Sequence, residues 1–228
     1  MNISVRSYWT SMAQAIARLV QVDANSIEEA ARMILEGRLV AYPTDTVYGL
    51  GCNPLDGDAV DRLLQAKQRS KGALPVLVNS MVAARTLGEF NKTSLALAGR
   101  FWPGPLTLIV PLRAKLPAAV TDDSQSVGLR IPKHETALNL LERCGGQIIG
   151  TSANVSGHPS PRTADEVVQE LGGRIDLILD GGPSPLGKES TVAKVLGAQV
   201  DVLREGAIAR EEIHKVVRML TLIQPSGA

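Results

Sequence analysis

Short apolar runs alternating with capped amphipathic stretches constrain this chain more than any other feature. Ser26-x-x-Glu29 has capping-box spacing and precedes Ile27, Ala30, Ala31, Ile34 and Leu35 on one helical face, with Gly37 as the stop. Leu39-Val40-Ala41-Tyr42 then reads as a strand broken by Pro43. Asp58 is placed to cap a second helix, striped by Val60, Leu63 and Leu64 and ending at Lys67. Leu74–Val78 reads as a buried strand, and a helix over Asn91–Trp102 is ended by Pro103-Gly104-Pro105. Strand patterns at Leu106–Leu112 and Val127–Ile131 precede a helix over Thr136–Cys144. Beyond these the pattern predicts a strand at Gln147–Gly150, a capping box at Thr163-x-x-Glu166 and a strand at Ile175–Leu179. A hairpin of Thr191–Leu196 with Val200–Leu203 and a helix from Arg210 to about Leu222 close the chain.

Strands that alternate with helices imply an α/β fold, and the terminal hairpin makes the sheet mixed rather than purely parallel. The 228 residues show no linker and no internal repeat, so one domain is expected. We divide the chain into an N-terminal extension (1–22), a main domain (23–220) and a tail (221–228). The extension carries Arg6 and Arg18 and no acid, a composition shared with organelle transit peptides. Its Met12, Ile16, Leu19 and Val20 equally suit a docking helix.

Lys+Arg 24 against Asp+Glu 23 leaves a net charge of +1, which argues against strong direct nucleic-acid binding through phosphate neutralisation. Aromatic residues at 3% are too sparse for a base-stacking platform. Cys52 and Cys144 stand alone and read as free thiols in a reducing compartment, which points to the cytoplasm. His134, His158 and His214 have no metal-ligand spacing, so no metal ligand is assigned. No apolar run approaches the roughly 18 residues of a membrane span, so no membrane partner is expected. With 21 glycines and 13 prolines, a small-molecule site built from shaped loops is the better expectation.

Three segments could carry chemistry. Thr44 and Thr46, in Tyr42-Pro-Thr-Asp-Thr-Val-Tyr-Gly-Leu-Gly51, alternate and could share a face, or with Asp45 could merely satisfy turn amides. Lys67 and Arg69 could offer a point charge and a planar fork to phosphate, or simply complement a helix C-terminus. Gly150-Thr-Ser-Ala-Asn-Val-Ser-Gly157 is a loop of hydroxyls and an amide with no neighbouring base, which does not support a serine hydrolase. Gly182-Pro-Ser-Pro-Leu-Gly187-Lys188 begins like a phosphate-binding loop, but Glu189 follows the lysine and two prolines remove cradle amides. We reject that reading.

In order, the chain presents the Pro43–Gly51 run, Lys67-x-Arg69, Trp102-Pro-Gly-Pro-Leu-Thr107, Leu129-Arg130-Ile-Pro132, Ser152-Ala-Asn154-x-Ser-Gly157, Ser190-Thr-Val192 and Leu203-Arg204-x-Gly206. This ordered set resembles the YrdC/TsaC family of L-threonylcarbamoyladenylate synthases over roughly Ser26 to Val217. The resemblance implies a twisted open α/β sheet around a concave, positively charged cavity. It implies synthesis of threonylcarbamoyl-AMP and pyrophosphate from L-threonine, bicarbonate or CO2, and ATP. That is the first step of N6-threonylcarbamoyladenosine formation in tRNA, with other proteins completing the transfer. Mg2+ is expected with the triphosphate, without an assigned protein ligand.

Carried over by position, Lys67 and Arg69 match the catalytic phosphate-side pair. Ser126, Ser152, Asn154, Ser160 and Arg204 match nucleotide-side positions. Thr46, Arg130, Gly150 and Ser190 match threonine-side positions, with Arg130 suited to bidentate pairing with a carboxylate and Gly150 offering only backbone. Lys67, Arg69, Lys71, Arg130 and Arg204 are expected to converge on one cavity. The chain departs from the family at Ser70, where many members have proline, and at Ala73 and Val78, where members often have asparagine and histidine. Rival readings are an RNA-binding module of the same fold and a carbamoyl-adenylating enzyme of hydrogenase-maturation type.

Overall fold

The structure, a computed structural model, describes residues 16–70, 72–121 and 125–223. The elements run β1 (Arg18–Gln21), α1 (Ala24–Leu35), β2 (Val40–Tyr42), β3 (Gly49–Gly51), α2 (Gly57–Ala66), β4 (Val76–Val78), α3 (Met81–Leu87) and α4 (Lys92–Phe101). They continue β5 (Leu106–Pro111), α5 (Ala118–Thr121), β6 (Ser126–Arg130), α6 (Glu135–Arg143), β7 (Gln147–Ile149), β8 (Thr151–Ser152) and α7 (Ala164–Leu171). Last come β9 (Leu177–Asp180), β10 (Thr191–Leu196), β11 (Gln199–Arg204) and α8 (Arg210–Ile223). The expected mixed α/β architecture is present, but its strands divide between two sheets. One has the order β1-β9-β2-β3-β8 and the other β11-β10-β5-β6-β4-β7. Both are mixed: β1 and β2 lie parallel to β9, while β2–β3 and β3–β8 are antiparallel. In the second sheet β10 runs parallel to β5 and β4 to β6, with antiparallel pairs elsewhere.

Local chemistry fixes the helix starts, not always at the expected residue. The N-cap of α1 is Asp23: its carboxylate accepts the Ser26 amide at 2.7 Å, and the Ser26 hydroxyl accepts the Asp23 amide at 2.8 Å. The box therefore begins three residues before the Ser26-x-x-Glu29 reading, because Asp caps as well as Ser and β1 delivers the chain to Asp23. Asp56 rather than Asp58 caps α2, and Asp58 sits in the first turn, where a carboxylate favours the helix dipole. Thr163 and Glu166 form the expected box on α7. Thr163→Ala is expected to cost about 1 kcal/mol, read as a lower urea midpoint at unchanged m-value.

Arg18–Gln21, assigned above to the extension, pairs as a strand along β9 from Arg18↔Leu177 to Gln21↔Asp180. This corrects the docking-helix reading at Leu19 and Val20. A helix so short has little stability of its own, whereas the β9 edge supplies a ready ladder of partners. Ile16 precedes β1, is not helical and is exposed, while Arg6 and Met12 lie outside the described residues. Among those described, no helix is long and apolar enough to cross a membrane.

Two apolar clusters organise the interior. The larger joins both sheets through Leu50, Leu63, Val76, Leu108, Leu129 and Ile178. The smaller packs Ile27 and Ile34 of α1 and Leu140 and Leu141 of α6 over Val40, Ile148 and Leu179. The sheets also meet covalently, since Gly150 alone separates β7 from β8. A Cβ at Gly150 would lie 2.2 Å from Leu77 Cγ, so only glycine lets the chain cross there against the packed leucine.

Candidate active site

A cavity of about 250 Å³ draws its lining from both sheets. The β2–β3 loop contributes Thr44, Thr46, Val47 and Tyr48, while β5, β6 and β11 contribute Thr107, Ser126, Arg130 and Arg204. Eight of the eleven residues assigned from sequence line it: Thr46, Arg69, Ser126, Arg130, Gly150, Ser152, Ser190 and Arg204. Lys67, Asn154 and Ser160 are not among the lining residues. Lys71 lies outside the described residues. Ala73 lines the cavity, whereas Val78 belongs to the core.

Arg130 is only 5% exposed and is held on three sides. Its Nε donates to Gly104 O at 3.0 Å, Nη1 to Thr46 Oγ1 at 3.0 Å and Nη2 to Asp45 Oδ1 at 2.5 Å. Gly104 is itself fixed by donating its amide to Ile131 O at 2.9 Å, just past the cis Trp102–Pro103 bond. Burial works against the Arg130 charge, and the Asp45 carboxylate opposes that effect. Of five N–H donors three are spent, which leaves one on each Nη nitrogen. The buried ion pair with Asp45 was invisible to a reading that treated Asp45 as a turn residue.

The threonine hydroxyls form a directed chain. Thr44 Oγ1 donates to Val47 O at 2.6 Å and accepts the Thr46 amide at 3.2 Å. The Thr46 hydroxyl, 3.0 Å from Thr44 Oγ1, must therefore donate to it. It also accepts from Arg130 and so faces the cavity with acceptor capacity only. Across the cavity, Thr107 and Ser190 pair through their hydroxyls at 2.9 Å, and Arg204 donates to Ser190 O at 3.0 Å. Thr107 was legible in the Trp102–Thr107 run but carried no assignment, because its partner Ser190 lies 83 positions away in the chain.

Lys67 ends α2 and is 3% exposed. Its ammonium donates to Ser152 O at 2.5 Å and Asn154 O at 2.9 Å, and the Ser156 amide returns a bond to Lys67 O at 2.9 Å. Burial, helped by nearby Arg69 and opposed by Glu189, brings its pKa down to about 8. Lys67 thus ties the 152–156 loop from beneath instead of lining the cavity. Gln68 then adopts a left-handed φ of 52°, and the turn carries Arg69 to the lining, with Arg69 Nη2 donating to Ala73 O at 3.3 Å. Asn154 braces its own loop through Val155 O at 3.1 Å and His158 O at 2.6 Å. Ser160 donates to Glu189 Oε1 at 2.5 Å, and Glu189 also pairs with Arg204.

Among the lining residues Glu189 is the only acid, and histidine and cysteine are missing from the set. Three guanidinium groups with a row of hydroxyls can hold anions, and the one acid of the lining is engaged by Ser160 and Arg204. The Gly182–Lys188 segment is strapped down by Ser184 N to Arg162 O (2.8 Å) and Leu186 N to Asp45 O (3.1 Å), and a strand follows at Thr191. It has no phosphate-loop geometry.

Comparison with known proteins places this geometry in context. The Sua5–yciO–yrdC family model, described as "Telomere recombination", matches residues 32–206. Threonylcarbamoyl-AMP synthase of Pyrococcus abyssi is 42% identical over 199 residues, covering 86% of this chain and 58% of the relative. The Bacillus subtilis threonylcarbamoyl-AMP synthase is 41% identical, covering 84% and 56%. The chain thus spans a little over half the length of these relatives. The crystal structure of P. abyssi Sua5 complexed with L-threonine superposes with a TM-score of 0.83 at 41% identity, over 88% of this chain and 60% of that one.

Proposed function

This chain belongs to the Sua5–yciO–yrdC family, and on that premise we propose that it makes L-threonylcarbamoyl-AMP from L-threonine, bicarbonate or CO2, and ATP. The observation that carries the proposal is the convergence of Arg69, Arg130 and Arg204 with Thr46, Ser126, Ser152 and Ser190 on one cavity whose lining includes neither histidine nor cysteine. Threonine's amine adds to CO2, loses a proton and becomes a carbamate. A carbamate oxygen then attacks the α-phosphorus; the new P–O bond forms as the bond to pyrophosphate breaks, and that electron pair leaves with pyrophosphate. Two anions must be held together, and fixed cations do this without any covalent enzyme intermediate.

In this reading Arg69 faces the triphosphate, and Lys67 supports it through its charge and through the loop it ties. Arg204, Ser126, Ser152 and Ser160 serve the nucleotide side, with Asn154 shaping the loop. Thr46, Arg130, Ser190 and the Gly150 backbone serve threonine. The acceptor-only Thr46 hydroxyl suits a donor on the amino acid, and buried Arg130 supplies field and orientation. Mg2+ enters with the triphosphate as part of the substrate; Glu189 is already engaged, so no protein ligand is assigned to it. The product passes to a separate complex that modifies tRNA, and the setting is cytoplasmic.

The test is pyrophosphate release from Mg·ATP with threonine and bicarbonate supplied or withheld. Release is expected only with both present, together with a threonylcarbamoyl-AMP product by mass spectrometry. Release that ignores threonine would sink the proposal.

A further inference from the structure

Glu189 has no place in the reaction above, yet it occupies the cavity's anion-binding groups. Its Oε1 accepts the Ser160 hydroxyl at 2.5 Å, and its Oε2 is ion-paired with Arg204 Nη1. It is also the one charge that opposes the depression of Lys67, so it lies within electrostatic reach of that buried ammonium. Two groups assigned to an anionic ligand, Ser160 and Arg204, thus hold the chain's own carboxylate, and a third, Lys67, feels its charge. Its backbone is pinned, because Glu189 O accepts the Ala207 amide at 2.8 Å, and a Cβ on Gly206 would fall 2.2 Å from Glu189 O. The main chain beneath the carboxylate is therefore fixed, and the side chain is the part free to yield.

We propose that Glu189 is a resident anion that holds Ser160 and Arg204 in place of a nucleotide phosphate and must be displaced when the nucleotide binds. A carboxylate and a phosphoryl group present similar anionic oxygens to a guanidinium and a hydroxyl donor. Both cannot use the same donors, and their like charges repel at contact distance. Glu189 thereby sets the affinity for phosphorylated ligands while leaving neutral ones alone. It is a specificity-determining residue rather than a participant in bond making. It also compensates the Arg204 charge, beside the hydrogen bonds that Arg204 gives to Ser190 O. The inference rests on the nucleotide-side assignment of Ser160 and Arg204 in the proposed function.

The experiment is equilibrium binding by calorimetry, without threonine or bicarbonate, of Mg·ATP and of adenosine to wild type, Glu189→Gln and Glu189→Ala. Glutamine keeps the shape and a hydrogen bond to Ser160 but removes the charge. Glu189→Gln is expected to bind Mg·ATP about tenfold more tightly, with adenosine affinity unchanged. Glu189→Ala should shift in the same direction, which guards against a packing artefact in either variant. Unchanged or weaker Mg·ATP binding in both variants would mean that Glu189 orients Ser160 and Arg204 for the ligand, and the proposal fails. A protein that binds no Mg·ATP in any form also overturns it. The expected pattern in a protein that releases no pyrophosphate with threonine would leave Glu189's role standing and reject only the synthase reading.

Discussion

Asp45→Ala is expected to lower the unfolding free energy by about 3–5 kcal/mol, the cost of breaking a buried ion pair by removing one partner. Asp45 is 4% exposed and Arg130 5%, so neither water nor salt can take over the lost contact. Arg130 would stay anchored only by neutral acceptors, Gly104 O and Thr46 Oγ1. The Lys133 amide, now donating to Asp45 Oδ1 at 3.0 Å, would lose its partner as well. For a chain of this length the melting temperature should fall by roughly 10 °C. Asp45→Asn preserves the shape and should lose less. Urea unfolding of the three proteins decides the matter, and a loss under about 1 kcal/mol for alanine would show that the pair contributes nothing net.

The second large effect concerns activity rather than stability. Lys67→Met removes two charge-assisted hydrogen bonds, each worth roughly 1.5–3 kcal/mol. It also removes a buried charge whose burial costs about 3 kcal/mol, from the gap between the ordinary lysine value of 10.5 and about 8. These nearly cancel, so the fold should survive within about 2 kcal/mol. Turnover should fall by about a hundredfold or more, because the Ser152–Asn154 loop loses its tether and the site a cation. The linkage has a definite sign. Between pH 8 and 10.5 the unfolded chain binds the Lys67 proton and the folded chain does not, so wild-type stability gains as pH rises through that window. The Met variant should lack this gain. Unfolding free energies measured from pH 7 to 10.5 check it, and identical pH slopes for the two proteins would contradict the buried-amine account. Activity should fall on the basic side of pH 8 as the cation is lost.

Which parts were readable in advance follows from the range of the interactions involved. The Thr163–Glu166 box is a matter of neighbours three residues apart and is written in the chain. The displaced start of α1 is nearly so, since Asp23 and Ser26 satisfy each other and the spacing Ser26-x-x-Glu29 merely imitates a box. Strands β1, β3 and β8 have two to four residues and take their partners from remote segments, so periodicity has nothing to measure. The partition into two sheets is hidden for the same reason. At the site, the ordered motifs found most of the lining. They could not foresee that Lys67 turns inward, because its acceptors are carbonyls 85 and 87 positions away. Nor could they distinguish Asp45 as a turn residue from Asp45 as the counter-ion of a strand 85 positions on.

Gly150 carries one further consequence. The two sheets are stitched there by a single residue, and again by Asp45, on the loop after β2, reaching Arg130 at the end of β6. A molecule seated between Thr46 and Ser190 would add a third stitch, made of substrate. Its binding free energy would then count toward cohesion of the whole chain and not of one half, because any binder of the native state weights the equilibrium against unfolding. For this architecture a substrate is also a structural member, a tie-rod spanning the joint on which the two halves bear.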